Sequence, residues 1–184
     1  GRPALQRLLS DISEAARTDA ELARAKFEAV DIGPLIEQLV GSWESRREKG
    51  DARVAYARPR RQSTLVLGDP ARLARALDNV IDNAISFSPA GGLVEVAASR
   101  VGKQVRIRID DEGPGVPPEA REAIFNRFHS MPPENEDFGR HSGLGLAIAK
   151  AIVEGHDGQI SVQDRDDAPS GARFVICLPA SDDR

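Results

Sequence analysis

The sequence predicts an α+β fold: a two-layer α/β sandwich in which helices cover one face of a single mixed sheet, preceded by one long α-helix. Three observations support this class. The 184 residues are enough for one ordinary domain and an appendage, with a core of real size. The beginning of the chain has helical periodicity. Strands and helices then follow one another without the regular alternation of βαβ units.

The first predicted element is a helix over residues 4–27, whose apolar residues recur at intervals of three and four. A stripe this broad needs another helix to cover it. The second helix follows Asp31, which is suited to cap it, with Gly33 and Pro34 at its start. Its predicted inward-facing residues are Leu35, Ile36, Leu39, Val40 and Trp43.

Two short strands and a long helix come next. The segments RVAYAR (53–58) and TLVLG (64–68) are typical of strands, and a helix from about Pro70 to Phe87 carries an apolar stripe. The segments LVEVAAS (93–99) and KQVRIRID (103–110) alternate in polarity, which predicts a pair of strands.

The last part of the chain is predicted to add one helix and two strands. A Gly/Pro turn leads to a short helix ending near Phe128, and a polar segment covers residues 129–142. An apolar helix begins near Gly143. The segments GQISVQD (158–164) and ARFVICLP (172–179) then close the chain as strands.

The composition excludes several classes of function. The net charge of −4 gives no general reason to expect nucleic-acid binding. Cys177 is the only cysteine, so a disulfide framework and a cysteine-based zinc site are excluded; we expect it to be a small core residue. No apolar run approaches the roughly 20 residues that span a bilayer. Because the chain starts at Gly1 without Met, we expect it to be part of a longer protein.

Two asparagines form the first candidate site. Asn79 and Asn83 are four residues apart, so they share one face of the long helix, and Ser86 and Phe87 fall near the same line. That line borders the apolar stripe, where the wall of a pocket would lie. Two amides there suit water, a hard cation or phosphate oxygens. The alternative is a solvated helix edge, which this stretch taken alone favours.

The second candidate site follows a strand whose apolar residues share one face: Val105, Ile107 and Ile109. By the period of two, Asp111 continues that face whereas Asp110 points away. A carboxylate at the core end of a strand is costly unless a group donates to it. Gly113 and Gly115 then allow a close approach of backbone or ligand. An ordinary turn is the alternative, and the position of Asp111 favours an acceptor for an amine.

The third candidate site is the start of the last helix. Its first turn holds Ser142, Gly143 and Gly145, and backbone N–H groups at a helix start attract phosphate. Glycines there are also typical of a merely flexible connection. The segment is neither a Walker loop, since no Gly-Lys-Ser/Thr follows, nor a GxGxxG dinucleotide motif.

The order of these motifs resembles that of the catalytic ATP-binding domain of sensor histidine kinases, with the Bergerat fold shared by gyrase, Hsp90 and MutL. NVIDNAISFSP resembles the N box, DEGPGVP the G1 box and IFNRF the F box. SGLGLAIAK resembles the G2 box, and GARFVICLP resembles the last strand with its G3 glycine, Gly171. The resemblance covers about residues 30–180. The segment SDISEAARTDAELAR is similar to the ChvG/ExoS type of envelope-sensing kinase.

The resemblance implies two domains. Residues 1–29 would be the second helix of a dimerisation and phosphotransfer hairpin, and residues 30–184 the catalytic ATP-binding domain. Asp111 would accept a hydrogen bond from the adenine amino group, with Gly115 giving room for the base. Asn83 would ligate Mg²⁺ between the phosphates, beside Asn79 as a catalytic residue.

The resemblance also implies a set of phosphate contacts and a lid. Gly143, Leu144 and Gly145 would offer N–H groups to the phosphates of ATP, and Arg127 would reach the terminal phosphate as a second catalytic residue. Residues 129–142 would form a mobile lid. The remaining implied nucleotide-binding residues are Phe87, Gly113, Phe128, Arg140, His141 and Ser142.

The sequence departs from the family pattern in two ways. The N box usually has Lys and often Tyr where this chain has Ser86 and Phe87, so one phosphate-facing cation is missing, for which Arg140 or His141 would compensate. The hydrolysing relatives have a catalytic Glu where Asn79 stands. Since an amide cannot take a proton from water as a carboxylate does, this difference favours a kinase.

The resemblance therefore implies a histidine kinase that transfers the γ-phosphoryl group of ATP to a His on a phosphoacceptor helix. The family's His-Glu-Leu type of motif does not precede residue 30, so we expect no autophosphorylation of this chain alone. The implied partners are that helix and a response regulator receiver domain, within a homodimeric full-length protein. The implied location is the cytoplasmic portion of an inner-membrane sensor. An ATP-hydrolysing clamp and a non-catalytic nucleotide-sensing module are the alternatives.

Overall fold

The computed structural model describes residues 27–57, 62–126 and 144–182. The helix predicted over residues 4–27 lies outside these ranges except for Phe27, which is not helical. No helix within the described ranges combines the length and the apolar character that a bilayer span requires.

The described residues form three α-helices: α1 (Ile32–Arg46), α2 (Pro70–Phe87) and α3 (Gly145–Gly155). The strands within the same ranges are β1 (Glu28–Asp31), β2 (Arg53–Ala57), β3 (Leu65–Gly68), β4 (Leu93–Val101), β5 (Gln104–Asp110), β6 (Gln159–Asp164) and β7 (Ala172–Pro179). Two 3₁₀ helices, Pro118–Ala120 and Ala123–Phe125, stand where one short helix was predicted, and the chain is extended at Asn126. The predicted end of that helix near Phe128 lies outside the described residues.

Five strands form the main sheet in the order β2-β4-β5-β7-β6. The β2–β4 pair is parallel and the other three pairs are antiparallel, so the sheet is mixed, as predicted. A second sheet pairs β1 with β3 in antiparallel register, from Glu28 opposite Gly68 to Asp31 opposite Leu65. The domain boundary predicted between residues 29 and 30 thus falls inside a strand.

Helices pack on one face of the main sheet, and the alternation of each strand decides which residues meet them. The apolar residues that the sheet contributes to the core are Val94, Val96, Ala98, Val105, Ile107, Ile109, Phe174, Ile176 and Leu178. Helices α2 and α3 cover them with Leu77, Val80, Ile81, Ile148 and Ile152. The α+β class and the one-sided layer of helices are therefore confirmed.

Cys177 differs from its prediction as a core residue. It is only partly buried, because its neighbours Ile176 and Leu178 point into the core and successive side chains of a strand point to opposite faces. The strand is rich in apolar residues on both faces, which hid its alternation in the sequence.

Helix α2 begins with a complete N-cap. The Asp69 carboxylate accepts hydrogen bonds from the backbone N–H groups of Ala71 (3.0 Å) and Arg72 (3.2 Å), and Pro70 is the first helical residue. The backbone N–H of Asp69 in turn donates to Nε2 of the buried His156 at the end of α3 (3.1 Å). The start of α2 is thereby tied to the end of α3.

Candidate functional site

Asp111 is the buried carboxylate that the alternation of β5 predicts. It directly follows the strand and is only 2% exposed. Its Oδ1 accepts two backbone hydrogen bonds, from the N–H of Gly113 (2.9 Å) and from the N–H of Ala172 (3.0 Å). The backbone N–H of Asp111 donates to the carbonyl oxygen of Ala172 (3.0 Å). The carboxylate is therefore held from two sides, by its own loop and by strand β7.

The environment of Asp111 raises the pKa of its carboxyl above the ordinary value of 3.8. Burial is the largest cause, because it disfavours the charged form. The two backbone hydrogen bonds and the positive charge of Arg165 oppose the rise, while the negative charge of Asp110 adds to it. A buried carboxylate with a raised pKa beside a loop is a candidate binding group.

The loop after Asp111 packs closely against the end of α2. A Cβ at Gly113 would lie 2.6 Å from the carbonyl oxygen of Phe87, so only glycine allows this approach. The backbone N–H of Glu112 donates to Oγ of Ser88 (3.2 Å). The Phe87 side chain is 41% exposed, and Gly115 has a left-handed backbone with φ of +83°.

Asn79 joins α2 to the start of α3. Its Nδ2 donates to the carbonyl oxygen of Gly145 (3.0 Å). Leu144 is fully buried at the N-cap position, and its carbonyl oxygen accepts from the N–H of Ile148 (2.8 Å). Within the described part of the chain, no side chain caps this helix. As at the start of any α-helix, the backbone N–H groups of its first turn have no intrahelical partner.

Asn83 lies between these two contacts. Residues four apart share a helix face, so Asn83 is one turn from Asn79, which contacts Gly145, and one turn from Phe87, which borders Gly113. Helix α2 thus presents an amide between the buried carboxylate and the start of α3. Ser86 donates its hydroxyl to the carbonyl oxygen of Asp82 (2.8 Å), a bond within the helix, and supplies no charge to this face.

Six predicted site residues lie outside the described ranges: Arg127, Phe128, Arg140, His141, Ser142 and Gly143. The other eight are described, namely Asn79, Asn83, Phe87, Asp111, Gly113, Gly115, Leu144 and Gly145. Helix α2 links them through its contacts with the loop after Asp111 and with the first turn of α3.

Sequence reasoning missed the ionic groups behind Asp111. Asp110 lies opposite Arg173, on the other face of β5 from Ile109, as the alternation predicts, but it is fully buried there by its pairing with Arg173. Arg165 donates through Nη1 to the backbone carbonyl of Asp111 (3.0 Å). The sequence offered one sign of this pair, namely Arg173 within the otherwise apolar strand β7. Its partner, Asp110, is 63 residues away and can be identified only once the register of β5 and β7 is known.

Comparisons with known proteins agree with this arrangement. The sensor protein ChvG of Rhizobium meliloti (strain 1021) is 40% identical over 185 residues, which cover 96% of this chain and 32% of ChvG. The structure of the mycobacterial sensor histidine kinase MprB has a TM-score of 0.69 and 34% identity, covering 83% of this chain and 97% of that one. Full-length ShkA in complex with AMPPNP has a TM-score of 0.76 and 31% identity, covering 96% of this chain and 36% of that one.

The chain spans about a third of the length of the ChvG proteins it matches. Its residues 68–182 match the sequence profile described as "Histidine kinase-, DNA gyrase B-, and HSP90-like ATPase". The matched range begins just before α2 and contains every described site residue. The chain belongs to the family of histidine kinase-, DNA gyrase B- and HSP90-like ATPases.

Proposed function

We propose that this chain is the catalytic ATP-binding part of a sensor histidine kinase, with Asp111 as the group that recognises adenine. The observation that carries the proposal is the buried carboxylate whose Oδ1 is held by two backbone N–H groups. Oδ2 is then the oxygen to which the adenine amino group donates. Gly113 and Gly115 border the base, and the exposed ring of Phe87 offers it an apolar surface.

The phosphates of ATP fit the first turn of α3. Its backbone N–H groups lack intrahelical partners, and Gly145 has no side chain to block an anion. Leu144 anchors this turn in the core while its main chain faces the ligand. The proposed contacts of Gly143, Ser142, Arg140, His141 and Arg127 with the phosphates, and of Phe128 with the lid, extend this site.

The described residues also fit Mg²⁺. Mg²⁺ is usually held by one or two protein oxygens together with the substrate phosphates, not by a dedicated protein cage. Within the described ranges, no cluster of three or more His, Cys, Asp or Glu is placed to hold a metal. The Asn83 amide oxygen would be the protein ligand, and the ion would neutralise charge on the phosphates.

The reaction we propose is transfer to histidine. The bond between the γ-phosphorus and its bridging oxygen breaks, a P–N bond to the acceptor imidazole forms, and ADP leaves. The phosphoryl group then passes to an aspartate of a response regulator. Asn79 supports transfer over hydrolysis, because its Nδ2 is occupied as a donor to Gly145 and an amide cannot serve as a general base for water.

The acceptor and the other partners belong to the longer protein. We propose a full-length homodimer that carries a phosphoacceptor helix, in which residues 1–29 contain the second helix of the hairpin and residues 30–184 form the catalytic domain. We place this chain in the cytoplasmic portion of an inner-membrane sensor, since that is where ATP and a response regulator are available.

The test is incubation with γ-labelled ATP and Mg²⁺, with and without a separate hairpin that carries an acceptor His. We expect label on the hairpin only when both proteins are present, and none on this chain alone. A hairpin with His replaced by Gln is the control. Label on this chain alone, or steady release of phosphate without the hairpin, would contradict the proposal.

A further inference from the structure

A buried ion pair lies directly behind the recognition carboxylate. Asp110 and Arg173 face each other across the β5–β7 pair and are 0% and 5% exposed. Nε of Arg173 donates to Oδ1 of Asp110 (2.8 Å), and Nη2 donates to Oδ2 (3.2 Å). This pairing raises the pKa of Arg173, with the hydrogen bonds to Asp110 as the largest cause. The pair fixes the residue immediately before Asp111.

A second arginine holds Asp111 itself. Nη1 of Arg165 donates to the backbone carbonyl oxygen of Asp111 (3.0 Å). Its Nε and Nη2 donate to the two carboxylate oxygens of Asp167, at 3.0 and 3.2 Å. Asp167 Oδ1 also accepts from Nη2 of Arg173 (3.3 Å), and Asp166 accepts from Nη1 of Arg173 (2.8 Å). The loop that carries Arg165 thus connects both arginines.

This loop, residues 165–171 between β6 and β7, also contacts Asp111 at its other end. Gly171 has φ of +108°, and a Cβ there would collide with the carbonyl oxygen of Asp111. The next residue, Ala172, donates its N–H to Oδ1 of Asp111 (3.0 Å). The loop therefore restrains the Asp111 main chain through Arg165, and Ala172, the first residue of β7, restrains the Asp111 carboxylate.

We propose that Arg165, itself held by Asp167, is a positioning residue for recognition of the purine amino group. By fixing the Asp111 carbonyl, it sets the direction in which the carboxylate faces the base. The loop 165–171 thereby sets the selectivity of the site for adenine. This inference rests on the proposed function, since it assigns a role relative to the base that Asp111 binds.

Arg165 is a better probe of this role than Arg173. Removing Arg173 would leave the fully buried Asp110 without its main partner, and an unpaired buried charge is strongly destabilising. The Arg165 side chain is 15% exposed and Asp167 is 47% exposed. Replacing Arg165 therefore leaves its charged partner, Asp167, where water can reach it, and no carboxylate is left buried without its main partner.

The experiment is calorimetry of the 184-residue chain with two ligands: ADP, and purine riboside diphosphate, in which hydrogen replaces the 6-amino group. For Arg165→Gln we expect about tenfold weaker ADP binding, the size typical of coupling within a hydrogen-bond network. The same variant should bind purine riboside diphosphate with an affinity within about twofold of that of the wild type for this ligand. A change of that size is too small to count as coupling. General damage to the fold would instead weaken both ligands equally.

The matched control is Arg100→Gln. Arg100 also donates to a backbone carbonyl, that of Gly102 (2.8 Å), and to a carboxylate, that of Asp182 (3.0 Å), but it lies on β4 near the β4–β5 turn. We expect it to leave both affinities unchanged. If the wild-type chain binds neither ligand, the proposed function fails before the role of Arg165 is tested.

Asp167→Asn provides a second variant, since it weakens the two hydrogen bonds that hold Arg165. Arg173, which Asp167 also contacts at 3.3 Å, keeps its shorter bond to Asp110 (2.8 Å). We expect a loss of ADP affinity smaller than that of Arg165→Gln, and no additional loss when the two changes are combined. The inference is overturned if Arg165→Gln binds ADP as the wild type does, if both ligands weaken in parallel, or if the two substitutions are additive.

Discussion

At the scale of single residues, Asp111 illustrates a conflict between binding and stability. The carboxyl group of Asp111 is 2% exposed, so its charged form lacks the hydration that an exposed carboxylate has. Two backbone hydrogen bonds to Oδ1 offset only part of that cost. The raised pKa of this carboxyl expresses the balance. We infer that the group is kept because a ligand uses it.

Asp111→Asn should therefore stabilise the unliganded protein at neutral pH. Between the ordinary pKa of 3.8 and the raised pKa of the folded state, the folded protein binds more protons than the unfolded one, so the free energy of unfolding falls as pH rises. Asparagine removes that cost, and its Oδ1 still accepts both backbone bonds. Melting curves should show a higher melting temperature for the variant at pH 7. This gain should shrink as pH falls through the window; a variant less stable at every pH would contradict the account.

The two asparagines of α2 should separate structure from binding. Asn79→Ala removes the hydrogen bond to Gly145 and should lower the free energy of unfolding by about 1 kcal/mol in urea. Asn83→Ala should change it by less than about 0.5 kcal/mol, yet remove the dependence of nucleotide binding on Mg²⁺. Calorimetry with and without Mg²⁺ checks the second effect. Equal behaviour of the two variants would contradict the separate roles.

At the scale of elements, helix α2 holds the site together, because it contacts the loop after Asp111 at one end and α3 along its length. Its first and last residues were predicted well, since Asp69, Pro70 and the apolar stripe mark the helix within its own sequence. The short helix near Phe125 was predicted less well. Its two 3₁₀ turns depend on packing of Ile124 and Phe125 into the core, which no local pattern encodes.

The N-cap of α2 should contribute measurably to stability. Asp69→Ala leaves the N–H groups of Ala71 and Arg72 without their side-chain acceptor and should cost about 1 kcal/mol in urea unfolding. Asp182→Ala is the control, because Asp182 is 84% exposed and pairs only at the surface with Arg100. A cost for Asp182→Ala as large as that for Asp69→Ala would show that the cap is not the cause.

At the scale of the whole molecule, the sequence predicted the class, the order of the elements and the burial of Asp111. It did not predict the pairing of Asp110 with Arg173 or the contact of Arg165 with Asp111, because both depend on the register of strands that are distant in sequence. Local periodicity reports which face of a strand a residue occupies. It does not report which charged group lies on the neighbouring strand.

Nucleotide should stabilise the whole domain, since the site joins α2, α3 and the main sheet. A ligand that binds only the folded state raises the free energy of unfolding by about 2.7 kcal/mol at a hundredfold excess over its Kd. We expect ATP with Mg²⁺ to raise the melting temperature and EDTA to remove most of that rise. A rise of the same size with GTP would contradict adenine recognition.

The central claim is that Asp111 recognises the base while the first turn of α3 binds the phosphates. Its most direct test is the calorimetric affinity of wild type and Asp111→Asn for ATP with Mg²⁺. We predict at least tenfold weaker binding for the variant, the loss expected when a hydrogen bond to a charged acceptor is removed. Equal affinities would contradict the claim.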